Sequence, residues 1–95
     1  MMIEKIGTPA MLEQMAEEAA ELAQAALKLA RIMRGGENPT PVTELEAWKY
    51  LVEEYTDVYQ CAMELVIPVD WAQISEKEKR FKERWKEREN GINGK

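Results

Sequence analysis

Two segments of this chain repeat one pattern of acidic residues thirty-six positions apart. The first is EEAAELAQAALKL, residues 17–29, and the second is EEYTDVYQCAMEL, residues 53–65. Both begin with a Glu pair, and Glu21 of the first segment aligns with Asp57 of the second. Glutamates on a single helix are ordinarily a solvated surface. Their recurrence with the same spacing indicates a shared site.

The helical period decides which acids of the first segment approach the core. At about 100° per residue, one apolar stripe is expected along the first long helix, formed by Met15, Ala19, Leu22, Ala26 and Leu29. Glu18 lies roughly 60° from this stripe and Glu21 roughly 120° on the same side, so the two are neighbours one turn apart. Glu17 faces nearly the opposite way and should be solvated.

The second segment places its acids in the same way. Its expected stripe is Leu51, Tyr55, Val58, Ala62 and Leu65. Glu54 and Asp57 take the offsets of the first pair. If the two helices pack antiparallel, one groove receives the carboxylates of Glu18, Glu21, Glu54 and Asp57.

Four carboxylates in one groove repel one another unless a cation lies between them. Mg²⁺ prefers oxygen ligands and keeps several waters, which suits an open site of Glu and Asp. The chain has no His and one Cys, so neither a usual zinc site nor the Glu-x-x-His pattern of di-iron bundles is available. The acids therefore predict a Mg²⁺ site, with Mn²⁺ as an alternative ion.

Local signals predict the helices that carry these acids. Thr8 as N-cap and Pro9 as first helical residue begin a long helix that runs to about Met33. Gly35 and Gly36 end it in the left-handed conformation. The basic residues of its last turns are interpreted as complements of the helix dipole: Lys28, Arg31 and Arg34.

A second long helix follows the loop GGENPTPV. Thr43 and Glu46 form a capping box at its start, and Pro68 stops it at or before Ile67. Trp48 lies near the apolar stripe and is interpreted as a core anchor. An antiparallel pair of long helices is the expected framework.

A charged C-terminal helix is predicted to open at Ser75 and Glu78, a further capping box, and to end at Asn90 and Gly91. Its alternating charges favour a solvated helix with two pairs at i, i+4 spacing, Glu76 with Arg80 and Glu78 with Lys82. A stripe of Ile74, Phe81 and Trp85 nevertheless runs beside a basic ridge of Lys77, Arg80, Arg84 and Arg88. Such a ridge could bind phosphate oxygens in the acidic groove.

Length, net charge and composition limit which classes of protein this chain can belong to. The chain has 95 residues, one domain spanning residues 1–95, and a net charge of −5, which argues against a general nucleic-acid binder. No signal peptide or membrane span is recognisable, so a cytoplasmic protein is expected. Cys61 is interpreted as a small packing residue, because no His is present to activate it. The two apolar stripes exceed what one layer of helices needs and predict self-association.

The acid pattern resembles the MazG-like all-α nucleoside triphosphate pyrophosphohydrolases. It combines E-E-x-x-E, at Glu17, Glu18 and Glu21, with E-x-x-D, at Glu54 and Asp57. The resemblance extends over roughly residues 8–88 and implies that Mg²⁺ is bound by Glu18, Glu21, Glu54 and Asp57. It also implies that basic residues of the following helix, here Lys77, Arg80 and Arg84, bind the phosphate chain. The connection between the two motifs is longer than in many compact relatives.

The resemblance implies hydrolysis of a nucleoside triphosphate between the α and β phosphates, giving a monophosphate and pyrophosphate. It further implies an antiparallel helical bundle completed in a homodimer or homotetramer. A rival interpretation is a non-catalytic acidic helical module that binds another protein. A third is a family member that binds nucleotides without cleaving them. The recurrence of the acids beside the core of two helices favours the enzyme.

Overall fold

The structure, a computed structural model, describes residues 1–35 and 42–93. Within these residues the chain forms four α-helices and no strand. The helices are α1 (Ile3–Ile6), α2 (Thr8–Met33), α3 (Glu44–Glu64) and α4 (Trp71–Asn93). The prediction of an all-α chain is therefore confirmed.

The two ends of α2 are set by glycines. Gly7, at φ 88°, is the N-cap and turns the chain from α1 into α2, with Pro9 in the first turn. Thr8 is thus the first helical residue, so its prediction as the N-cap was wrong by one position. Gly35 adopts φ 74° just after the last turn, as predicted. Gly36 lies outside the described residues.

The predicted cap of α3 is confirmed, because the Thr43 hydroxyl accepts a hydrogen bond of 3.1 Å from the Glu46 backbone N–H. The helix ends in a Schellman motif, in which the Ile67 N–H donates to the Ala62 carbonyl at 3.0 Å. The left-handed residue of this motif is Val66, at φ 56°. A β-branched residue is strained there, whereas α2 uses a glycine at the equivalent place.

The start of α4 differs from its prediction. The helix begins at Trp71, because the Asp70 carboxylate accepts a 2.9 Å hydrogen bond from the Gln73 N–H and caps it one turn before Ser75. It also continues past Asn90 to its last described turn. The Lys82–Glu78 ion pair forms at 4.0 Å, and no such pair joins Glu76 to Arg80.

α2 and α3 pack antiparallel. The positions where they pack together, here called the seam, recur along each helix at alternating intervals of four and three residues. Two contacts show the antiparallel direction. The backbone N–H of Ile3, in α1 just before α2, donates a hydrogen bond of 2.9 Å to the Glu64 carboxylate at the end of α3. Ala25, late in α2, and Ala47, early in α3, line the same cleft. The buried and half-buried seam residues are Met11, Met15, Glu18, Leu22, Ala25 and Leu29 on α2, with Ala47, Leu51, Glu54, Val58, Cys61 and Leu65 on α3. This is the packing of an antiparallel coiled coil.

The predicted stripes agree with the seam in part, and the residues that they share with it are Met15, Leu22, Leu29, Leu51, Val58 and Leu65. Ala19, Ala26 and Tyr55 were expected in the core and are exposed, whereas Glu18 and Glu54 lie in the seam itself. Trp48, interpreted as a core anchor, is also exposed. Each helix has two neighbouring apolar faces, and each predicted stripe took residues from both. Only one of the two faces packs within the chain.

The second apolar face lies one residue C-terminal to each seam position. On α2 it consists of Leu12, Ala16, Ala19, Ala23, Ala26 and Ala30, and on α3 of Trp48, Val52, Tyr55, Tyr59, Ala62 and Val66. In an antiparallel pair, a step of one residue toward the C-terminus turns both helices to the same side of the seam. The hairpin therefore has one continuous side, here called the apolar face, and most of it is exposed.

The opposite side of the hairpin, here called the polar face, lies one residue N-terminal to each seam position. It carries Gln14, Glu17, Glu21, Gln24 and Lys28 from α2, with Glu46, Tyr50, Glu53, Asp57, Gln60 and Glu64 from α3. Like the apolar face, it is continuous across the two helices. The hairpin thus separates apolar from charged side chains on its two sides.

α4 does not fold back over the hairpin. Its side chains through Gly91 are exposed, including Trp71, Phe81 and Trp85. The described chain has a radius of gyration of 18.3 Å, against about 12 Å for a compact domain of this length. Among the described helices, none is both long enough and apolar enough to cross a bilayer.

Candidate metal centre

Three of the four predicted acids meet in the middle of the hairpin. Glu18, Glu21 and Glu54 each offer a carboxylate oxygen, and these three atoms lie within 4.8 Å of one another. α2 supplies two of them one turn apart, and the antiparallel register brings the third across from α3. Half-buried Asp57 lies one turn beyond Glu54, outside this cluster but near enough for its charge to act on both acids of α2.

Glu54 is the most unusual member, because only 5% of its surface is exposed. Its Oε2 atom is buried without a hydrogen-bond partner, and so is Oε2 of Glu18. The other oxygen of Glu18 accepts a 2.8 Å hydrogen bond from Nε2 of Gln14. Buried carboxylate oxygens without partners are costly, so both atoms require a proton or a cation.

The electrostatics of the cluster agree with this requirement. Burial raises the pKa of Glu18, the hydrogen bond from Gln14 opposes this, and the charges of Glu21 and Asp57 add to the rise. The carboxyl group of Glu54, within hydrogen-bonding reach, raises the pKa of Glu21, followed by the charge of Glu54 and by burial. The pKa values of Glu18 and Glu21 are thus both raised, by burial and by the neighbouring carboxylates.

These residues fit Mg²⁺. The donor set is all oxygen, two of its buried atoms have no partner, and Glu21 lies exposed at the polar face. Exposure on that side leaves room for the waters that Mg²⁺ retains. Glu18, Glu21 and Glu54 would hold the ion directly, with Asp57 as the adjacent ligand from α3.

A cleft of about 370 Å³ adjoins the cluster along the polar face. It is lined by Gln24, Ala25, Lys28, Val42, Glu46, Ala47 and Tyr50. The charge of Glu54, then burial and the charge of Glu21, raise the pKa of Tyr50, so its hydroxyl lies beside the acids. Tyr50 therefore connects the cleft to the cluster. The sequence interpretation missed this cleft, and its one signal was the position of Lys28 two turns beyond Glu21.

The predicted phosphate-binding residues lie elsewhere. Lys77, Arg80 and Arg84 share one side of α4, where they line a groove with Glu83 and Glu87. No residue of α2 or α3 lines this groove. Within the described chain the basic ridge is therefore not joined to the acids.

Three further residues of the two acidic segments lie outside the cluster, namely Glu17, Glu53 and Cys61. Glu17 is exposed, as predicted, and so is Glu53, its counterpart in the second segment. Cys61 is buried in the seam, as its interpretation as a packing residue requires. Burial, together with the charge of Glu18, raises the pKa of its thiol and disfavours the nucleophilic thiolate.

Comparison with known proteins adds no relative to this description. No protein-family model, curated protein or solved structure matches the chain. Its function is therefore argued from the acid motifs and from the geometry of the cluster.

Proposed function

We propose that this chain is a Mg²⁺-dependent nucleoside triphosphate pyrophosphohydrolase of the MazG-like kind. It would cleave the substrate between the α and β phosphates to give a monophosphate and pyrophosphate. The observation that supports this most is the buried carboxylate of Glu54, which has one oxygen without a hydrogen-bond partner and lies across the seam from Glu18 and Glu21. A merely solubilising glutamate would lie in water, not in the seam between two helices.

In this proposal each side chain has a defined task. Glu18 and Glu54 are held in place by seam packing, and Gln14 fixes the orientation of Glu18. Glu21 and Asp57 complete the site from the polar face, where a phosphate chain can approach. Bound Mg²⁺ would neutralise phosphate charge and lower the pKa of a water. In the reaction a water oxygen bonds to the α-phosphorus while the bond from that phosphorus to the bridging oxygen breaks.

We place the self-association of the chain on the apolar face. It carries a row of alanines on α2 and exposed aromatics on α3, among them Tyr55 and Tyr59, which stack at 6.4 Å between ring centroids. Alanines let another helix approach closely, and aromatics fill the space between helices. Two hairpins joined through this face make a four-helix homodimer with the acids on its outer sides. A homotetramer would require further contacts, for which α4 offers Phe81 and Trp85.

The basic ridge keeps its predicted role in this assembly. α2 and α3 together carry ten acidic and three basic side chains, whereas α4 carries seven basic and five acidic ones. Opposite charge favours the approach of α4 from one copy to the polar face of another. Lys77, Arg80 and Arg84 would then bind phosphate from a neighbouring copy.

The test is the release of pyrophosphate from canonical and modified deoxynucleoside triphosphates in Mg²⁺. Glu54→Ala and Asp57→Asn should abolish it while circular dichroism shows unchanged helix content. Glu53→Gln is the matched control, because this neighbouring acid is exposed and should retain activity. Full activity in the Glu54 or Asp57 variant would exclude these residues as metal ligands.

The rival function, a non-catalytic protein-binding module, has one observation in its favour. The apolar face and the aromatics of α4 could bind a different protein instead of a second copy. Thermal melts with and without Mg²⁺ or Mn²⁺ separate the two, because an ion that binds the folded state raises the melting temperature. A module whose acids only confer solubility would not respond.

A further inference from the structure

Lys28 occupies an unusual place for a residue that only complements a helix dipole. It is half-buried and lines the cleft beside the acids, and the polar face puts it in one row with Glu21 and Gln24. Within residues 1–35 and 42–93, no carboxylate lies within 4.0 Å of its ammonium group. The cleft therefore contains a lysine whose charge no ion pair neutralises there.

The direction of the side chains brings Lys28 toward the cluster. Lys28 follows Glu21 by seven residues, which is about 10 Å along the helix axis. Helical side chains lean toward the N-terminus of their helix, so the long stem of Lys28 leans back toward Glu21. From α3, Tyr50 places its hydroxyl beside Glu54 at the near end of the same cleft.

We propose that this cleft is the subsite for the terminal phosphates of the substrate, with Lys28 binding the pyrophosphate that leaves. This inference rests on the proposed function, since pyrophosphate is the product of that reaction. The Tyr50 hydroxyl, which lies beside the Glu54 carboxylate in the free chain, would turn its hydrogen to a phosphate oxygen of the same group. An ammonium group there neutralises the charge that gathers on the leaving phosphates as the bond to the α-phosphorus breaks.

The chemistry of the cleft favours phosphate over the nucleobase. Its apolar lining consists of the small side chains of Ala25, Val42 and Ala47 with one aromatic ring, that of Tyr50, so a base would have a single ring to stack on. A base would leave the charge of Lys28 without a partner, whereas phosphate oxygens satisfy both Lys28 and Tyr50. The nucleoside then extends from the other end of the cluster, toward Asp57.

Binding of inorganic pyrophosphate in saturating Mg²⁺, measured by calorimetry, tests this directly. Lys28→Ala should weaken it about ten- to hundredfold, as expected when a charge-assisted contact is lost. Lys28→Arg should restore most of the affinity, and Tyr50→Phe should weaken it about tenfold. Lys49→Ala is the matched control, because Lys49 adjoins Tyr50 in sequence without lining the cleft.

The outcomes distinguish this inference from the proposed function. If the wild type hydrolyses triphosphates but Lys28→Ala binds pyrophosphate as tightly as Lys49→Ala does, the inference is wrong and the function stands. If pyrophosphate binds in a Lys28-dependent manner but no triphosphate is cleaved, the subsite stands and the proposed function fails. A wild type that does not bind pyrophosphate at all overturns the inference. A structural role for Lys28 would lower the melting temperature of Lys28→Ala and leave its affinity unchanged.

Discussion

Replacing Glu54 by Gln should make the protein more stable without metal and less stable with it. Glu54 is 5% exposed, and its buried Oε2 has no hydrogen-bond partner. Gln keeps the shape of the side chain and removes the charge. Its amide can also donate to the carboxylates of Glu18 and Glu21, so a repulsive contact becomes an attractive one.

The size of the effect follows from burial. An unsatisfied buried polar group costs about 1–3 kcal/mol, and the new amide recovers the lower part of this range, about 1 kcal/mol. For a domain of this size each 1 kcal/mol shifts the melting temperature by about 4–8 °C. In Mg²⁺ at a hundred times its Kd, the wild type gains about 2.7 kcal/mol, which Glu54→Gln loses. The order of the two melting temperatures should therefore reverse.

Calorimetric melts at one fixed protein concentration, with chelator and with saturating Mg²⁺, measure both effects. Glu53→Gln removes the same charge from an exposed neighbour and should behave like the wild type in both conditions. Two results would refute the reasoning: a metal-free Glu54→Gln protein that melts below the wild type, or a Mg²⁺ shift that survives the substitution.

Three further predictions concern the rest of the chain. Val66→Gly should stabilise the protein by about 0.5–1 kcal/mol in urea titrations, because left-handed strain is relieved at an exposed position; destabilisation would mean that the Val66 side chain makes contacts that outweigh its strain. The pKa values of Glu18 and Glu21 are raised, so the folded state binds protons more tightly than the unfolded state does. The stability of the metal-free protein should therefore rise as the pH falls through these raised pKa values, and level off below the ordinary value of 4.5. A melting temperature that falls steadily from pH 7 to pH 5 would contradict this. Ala23→Glu should dissociate the proposed homodimer in sedimentation while Gln24→Glu, on the polar face, should not; equal behaviour of the two would remove the apolar face as the interface.

Local chemistry accounts for what could be predicted of the fold. The cap at Thr43 and the left-handed Gly35 follow from side-chain and backbone preferences that act within a few residues, and both were predicted. The start of α4 was missed because two caps compete, and Asp70 comes first in the chain. The seam was predicted only in part, because alanines such as Ala19 add to an apolar pattern whether or not they are packed.

The candidate site likewise has one part that the sequence could predict and one part that it could not. Glu18, Glu21 and Glu54 meet because the acid repeat has the same phase on both helices, which the helical period alone could predict. The cleft of Lys28 and Tyr50 depends on the register between two antiparallel helices. That register is set by packing along the whole seam, so no local pattern in the sequence reveals it.

Binding of Mn²⁺ to the protein, followed by NMR, tests the central claim most directly. Mn²⁺ is paramagnetic, so it should broaden the amide signals around Glu18, Glu21, Glu54 and Asp57 first, and excess Mg²⁺ should restore them. Broadening spread evenly over exposed acids such as Glu13 and Glu44, or none at stoichiometric Mn²⁺, would contradict a metal centre in the α2–α3 seam.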